Sequence, residues 1–352
     1  MVYRIGMVVP LEGPGGLFAA SAEASVELAT AQINSEGGIL GERLDLTWIN
    51  AGAPSTHVTS CVDGLIQTGQ ISAVCGWHIS AIRNALVPVI AGRVPYVYPA
   101  LYEGGENRSG VYCTGEHTVD AILPAMNWFR QEKGIRNWFV IGDKYEWPLQ
   151  SFYGIQTKVE TTGLHLCGHV FLNYQSRRKV DTDAALDQIE RSGCDGIIVL
   201  MVGQNAVTFN REFGRTPMAR SVVRLCPLTD ENILLANGAV NNSEIYSLAG
   251  YFRTLATSPS IDLIRNYTHY YSGTAPALSA PAESCLESLF ALRKIVNTAG
   301  SSNVRDTDQV IDGLKYYGPR GAVSFTDNQA QQEVYLGKAD GLEFDVLTDL
   351  AV

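Results

Sequence analysis

Hydroxyl-bearing and aromatic side chains collect in this sequence directly after short apolar runs. Gly76-Trp77-His78-Ile79-Ser80, with Arg83 and Ala85 beyond it, follows the run 71–75, and Tyr98-Pro99-Ala100-Leu101-Tyr102-Glu103-Gly104 follows the run that starts at Val94. Short apolar runs of this kind read as buried strands, and open α/β sheets bind ligands beyond the carboxyl ends of their strands. Ser80 opens a predicted helix, so its hydroxyl and the N–H groups after it can face a carbonyl or carboxylate oxygen. Trp77, Tyr98, Tyr102, Tyr145 and Trp147 each combine a flat apolar ring with a polar tip, a combination that excludes water while still hydrogen bonding. Glu103 or the pair Asp230-Glu231 could accept from an NH2 group or pair with an ammonium. This is the chemistry of holding a small polar molecule rather than of making or breaking bonds.

Other chemistries find no support in the spacing. After the first strand no Gly-x-Gly-x-x-Gly appears, and the chain has neither a Gly-Lys-Ser/Thr phosphate loop nor a Gly-x-Ser-x-Gly elbow. His165, Cys167 and His169 alternate and would share one strand face, yet a closed metal site needs a further ligand set. We therefore expect no catalytic residue, no metal, no cofactor and no enzymatic activity.

The elements that must position these residues follow from length and pattern. A chain of 352 residues exceeds one ordinary core, which predicts two domains. Its 46% apolar content supplies ample core, and a net charge of −10 argues against a phosphate-binding surface. The run Arg177-Arg178-Lys179 is the one basic cluster and reads as a solvated loop. No segment approaches the ~18–20 apolar residues of a membrane span. Strand and helix signals alternate, with helices expected near 19–34, 55–67, 80–91, 118–132, 149–162, 182–192, 261–271, 280–298 and 307–314. Strands are expected near 5–9, 44–48, 138–141, 168–172, 196–200, 222–225 and 246–251, with more strand and turn residues from 322 to 346. Such alternation predicts parallel sheets with helices on both faces. It restarts near Thr118 and ends in segments able to return to each series, which predicts two lobes.

The sequence resembles the type I periplasmic-binding-protein family, which includes branched-chain amino-acid binding proteins, and within it most closely the urea-binding and aliphatic-amide-sensing branch. The resemblance rests on Val9-Pro10-Leu11 with Gly13-Pro14, and on Asn34-Ser35-Glu36-Gly37-Gly38-Ile39-Leu40-Gly41. It continues through the two clusters above, Ile141-Gly142-Asp143-Lys144-Tyr145-Glu146-Trp147-Pro148, and Pro319-Arg320-Gly321 with Asn328. It implies two Rossmann-like doubly wound α/β lobes joined by three hinge crossings: lobe one 1–117 plus 252–324, lobe two 118–251 plus 325–352. It places Ser80 on the position that contacts the ligand's polar head and Tyr98 with the backbone around Ala100 on the next ligand segment. Tyr145 and Trp147 fall on the aromatic cover from lobe two, with Thr229 near a further contact. Trp77 and His78 alter the first loop, and Ala100 and Leu101 stand where the branch often has a hydroxyl or amide.

Two roles follow from the resemblance. One is a cytoplasmic amide-type sensor that holds an RNA-binding antiterminator until a short-chain amide, urea or amino-acid-like ligand arrives. The other is an extracytoplasmic solute-binding subunit docking on an ABC permease. Seven cysteines without disulfide-like spacing, and a start (Met1-Val2-Tyr3-Arg4) that enters a strand at once, point to the first. A leader removed from the mature chain would point to the second. Neither role involves direct nucleic-acid binding or membrane insertion.

Overall fold

The computed structural model describes residues 2–159, 162–175 and 179–350; Arg177 and Arg178 of the basic run lie outside them. β1 (Val2–Val9) is followed by α1 (Ala19–Ser35), β2 (Arg43–Asn50), α2 (Ser55–Gln67), β3 (Ala73–Cys75), α3 (Ser80–Ile90), β4 (Tyr96–Tyr98) and β5 (Val111–Cys113). Next come α4 (Thr118–Lys133), β6 (Asn137–Asp143), α5 (Glu146–Val159), β7 (His165–Leu172), α6 (Lys179–Ser192) and β8 (Gly196–Leu200). The second series ends with α7 (Gln204–Phe213), β9 (Val223–Leu225), α8 (Glu231–Asn237) and β10 (Ile245–Ala249). The last stretch holds α9 (Ser258–Tyr271), α10 (Ala280–Ala299), α11 (Val304–Ile311), β11 (Lys315–Gly318), β12 (Gly321–Thr326), β13 (Gln329–Gln331), β14 (Val334–Asp340) and β15 (Glu343–Leu350).

The chain divides into two compact units. Unit one comprises Met1–Ala100, Gly104–Glu116 and Ala256–Gln332; unit two comprises Leu101–Glu103, His117–Leu255 and Glu333–Val352. The sheet of unit one runs β11-β12-β13-β5-β4-β3-β1-β2, and that of unit two β15-β14-β10-β9-β8-β6-β7. Central strands such as β3, β4 and β8 are buried along their whole length, as strands covered by helices on both faces must be. The edge strand β7 instead alternates exposed and half-buried residues over most of its length.

Both sheets are mixed, not parallel throughout. β11 to β13 pair antiparallel among themselves, and β14 pairs antiparallel with both β10 and β15. For β11–β12, β12–β13 and β14–β15 the cause is loop length: Pro319-Arg320, Asp327-Asn328 and Gly341-Leu342 each leave only two residues between strands. So short a loop can close a hairpin but cannot make a parallel crossover. This hairpin geometry also carries residues 325–332, expected with the second lobe, into the first sheet. There Phe325 is buried opposite Ala330 and Gln329 pairs with Cys113. Tyr102, expected in the first lobe, groups with unit two and bridges to His117.

Four helices start three residues earlier than expected: α5, α6, α9 and α11. α5 starts at Glu146 rather than near Leu149, because Pro148 is tolerated in a first turn. α11 ends at Ile311, short of Leu314, and Gly313 at φ 74° turns the chain away from it.

Candidate functional site

In unit one the expected residues collect at the carboxyl ends of β3 and β4. Gly76 has φ 127°, and a Cβ there would lie 2.2 Å from the Val8 carbonyl oxygen, so only glycine lets this loop pass over β1. His78 is fully buried and is gripped from two sides. The Tyr96 hydroxyl donates to His78 Nε2 at 2.8 Å, and the Tyr98 hydroxyl donates to the His78 carbonyl at 2.7 Å. Burial, with Arg83 adding to it, pushes the imidazole down to about 3. It is therefore neutral, and because the Ile79 carbonyl 3.4 Å from Nδ1 can only accept, the proton sits on Nδ1 and leaves Nε2 to accept from Tyr96.

Ser80 is the first residue of α3 and is buried; Ile79 ahead of it is extended and supplies no capping side chain. The Trp77 ring is also buried, edge-on to Phe18 at 5.0 Å. Ala100 is buried in the segment after β4. The Arg83 guanidinium lies 5.2 Å over the Tyr98 ring and 3.7 Å from Glu106, whose carboxylate accepts from Arg108 at 2.8 and 2.6 Å.

In unit two the chain ends of β6, β7 and β8 meet. The Trp147 indole N–H donates to Thr118 Oγ1 at 2.7 Å, and that hydroxyl donates to the Tyr102 carbonyl at 2.8 Å. Thr118 thus brings Tyr102 and Trp147 into one group. Tyr145 is half-buried, with its ring 6.3 Å from Trp147 and 5.2 Å from Tyr174. Asp143, fully buried, accepts from the Val202 amide at 3.0 Å and from Asn205 Nδ2 at 2.9 Å. Asn205 Nδ2 also donates to the Tyr174 carbonyl at 3.0 Å, fixing that segment beside Tyr145. Burial, and the Asp143 charge after it, raise the Tyr174 phenol, which stays protonated.

A family model described as periplasmic binding protein matches residues 2–343. The chain belongs to that family. Solved structures of similar fold include a solute binding protein of an ABC transporter from Rhodopseudomonas palustris HaA2 in complex with p-hydroxybenzoic acid. It is 16% identical, with 99% of this chain and 97% of that one covered, at TM-score 0.86. A leucine binding protein from Thermotoga maritima MSB8 is 15% identical over 99% and 98% at TM-score 0.85. A branched-chain amino acid transporter substrate binding protein from Streptococcus pneumoniae, in complex with isoleucine, is 15% identical over 100% and 99% at TM-score 0.84.

In this periplasmic binding protein, several expected hydrogen-bonding groups are already committed inside their own unit. Tyr98 spends its O–H on the His78 carbonyl and Trp147 its N–H on Thr118, so each donor is already used within its own unit. Asp230 caps α8, accepting from the Ile233 amide at 2.9 Å, and Glu231 accepts from the Arg253 amide at 3.0 Å. Thr229 is buried in the turn after β9, where its carbonyl accepts from Ser247 at 2.7 Å. The alternating His165, Cys167 and His169 lie on the edge strand, and no metal-ligating group of three occurs among the described residues. Sequence reasoning missed Thr118, Tyr174 and Asn205. Thr118 heads a helix and reads locally as a cap, and the other two are brought in only by long-range bonds.

Proposed function

We propose that the protein is the solute-binding component of an ABC importer, taking a small organic carboxylate, amino acid or amide without turning it over. The carrying observation is that Ser80 in unit one and Tyr145 in unit two each sit at the carboxyl ends of their own sheet, on loops held by buried hydrogen bonds. Relatives of the same fold bind p-hydroxybenzoic acid and isoleucine, molecules with a carboxylate on an apolar body. Ser80 and the start of α3 suit the polar head, and Tyr102, Tyr145 and Trp147 suit the body. Contacts drawn from both units would exist together only in a closed form, so binding would shift an open–closed equilibrium. The partner is then a permease. The match to transporter relatives favours it over an RNA-binding antiterminator, and favours a place outside the cytoplasm.

One observation keeps the sensor reading in play: all seven cysteines are free thiols, with Cys61 and Cys167 exposed, which suits a reducing compartment. Calorimetry with leucine, isoleucine, 4-hydroxybenzoate, acetamide and urea, alongside X-ray scattering, separates the readings. A carboxylate ligand with compaction, weakened by about 1–3 kcal/mol in Ser80→Ala, supports the importer. Tight binding of acetamide or urea alone transfers support to the sensor. Turnover of any ligand, or binding untouched by Ser80→Ala and without compaction, defeats both.

A further inference from the structure

Tyr174 lies outside every motif in the sequence, yet three strand ends converge to place its ring. It follows β7 at the sheet edge, Tyr145 follows β6, and Val202 to Asn205 follow β8. The Asp143 carboxylate ties the β6 and β8 ends together, and the Asn205 amide extends that tie to the Tyr174 backbone. The two tyrosine rings stand 5.2 Å apart at 55°, both half-buried, with Trp147 closing the far side of Tyr145 at 6.3 Å and 42°.

We infer that Tyr174, with Tyr145, forms a tilted aromatic wall that selects a planar conjugated acid over an aliphatic one of the same size. This deepens the solute-binding reading above and rests on it. A flat ring can stack offset on one tyrosine and present its edge to the other, both favourable quadrupole geometries at centroid separations of about 4.5–7 Å. A puckered or branched aliphatic body fills the same volume without that gain. The gain is of the size that separates ligands by about three- to tenfold. The Tyr174 phenol, protonated at neutral pH, can in addition donate to an oxygen on the ring.

The test uses benzoate and cyclohexanecarboxylate, which share the carboxylate and nearly the same volume but differ in planarity. Calorimetry on the wild-type protein should show benzoate preferred by about three- to tenfold. Tyr174→Phe should keep that preference and Tyr174→Leu should bring it close to one, with circular dichroism confirming that both variants are folded. 4-Hydroxybenzoate should in turn lose affinity in Tyr174→Phe relative to benzoate. Equal or reversed preference in the wild type overturns the inference, and so does a preference that survives Tyr174→Leu. If neither acid binds while leucine or isoleucine does, the selectivity inference fails and the solute-binding reading stands. If none of the four binds, both fail.

Discussion

Two buried arginines, Arg320 in unit one and Arg224 in unit two, are neutralised in opposite ways. Arg320, in the β11–β12 hairpin of unit one, is met by carboxylates: Glu283 at 2.5 Å, Glu116 at 2.9 Å, and the Ser284 hydroxyl on the remaining arm. Glu287 is buried beside them, with the Tyr316 hydroxyl facing it. Three acids share one cation there. Arg224, on β9 of unit two, is met by neutral oxygens instead. It donates to the Asn210 side chain at 2.9 Å and to the carbonyls of Asn241 and Ser243 at 2.9 and 2.6 Å, over the Phe213 ring at 4.8 Å. Carbonyl dipoles can spread around a cation without bringing charges of their own into the core. Carboxylates bind more strongly but make the site answer to protons. Unit one therefore carries a titratable core, whereas unit two's arginine is held by groups that do not titrate.

The largest effect expected from this contrast is at Arg320. Arg320→Met strands buried acids without a cation and should cost unit one about 3–5 kcal/mol. Native-state hydrogen exchange should show it in the α10 amides, with those of β9 little changed. Arg224→Met removes donors from two carbonyls and an amide but leaves no charge behind, so about 1–3 kcal/mol is expected, read from the β9 and α7 amides. Equal losses at the two arginines would dissolve the comparison.

The pH dependence sharpens it. Burial raises Glu283 to about 8 against the pull of Arg320, and raises Glu287 likewise. The folded state then holds protons that the unfolded state releases above about 4.5. This contribution to stability is complete below that value and is lost as pH rises towards about 8. Glu287→Gln should flatten the decline of unit one with rising pH in urea titrations. Unit two has its own slope in that window from Glu231, which burial and then Asp230 raise to about 8. That slope should persist in Glu287→Gln and vanish only with Glu231→Gln. Smallest of all, Asn210→Ala removes one acceptor of several and should cost about 1 kcal/mol without any pH signature.

The same contrast marks how far the sequence could be read. β8 and α2 were legible to the residue, because an unbroken apolar run and a helix-spaced stripe are local signals. β5 was not: three residues carry too little pattern, and β5 is in place because β4 and β13 flank it. The loops after β3 and β4 were legible as polar and aromatic segments at the carboxyl ends of strands. What their polar tips bond to was not, since the partner of Tyr98 stands 20 residues away and that of Trp147 stands 29 away. Tyr174 depends on Asn205, and Arg320 meets Glu116 across 204 residues. Hydrogen bonds between distant segments leave no periodicity to find.

The return of β14 and β15 to the sheet of unit two sets the order in which this protein can mature on the ribosome. Unit one is incomplete until Gln332 has been made, and unit two lacks two of its seven strands until Leu350 follows. Neither nascent half can finish early and wait for the other. Both units stay unfinished until these late segments are made, and the stretch from 333 to 350 that completes unit two takes a few seconds at a rate of about 5–20 residues per second.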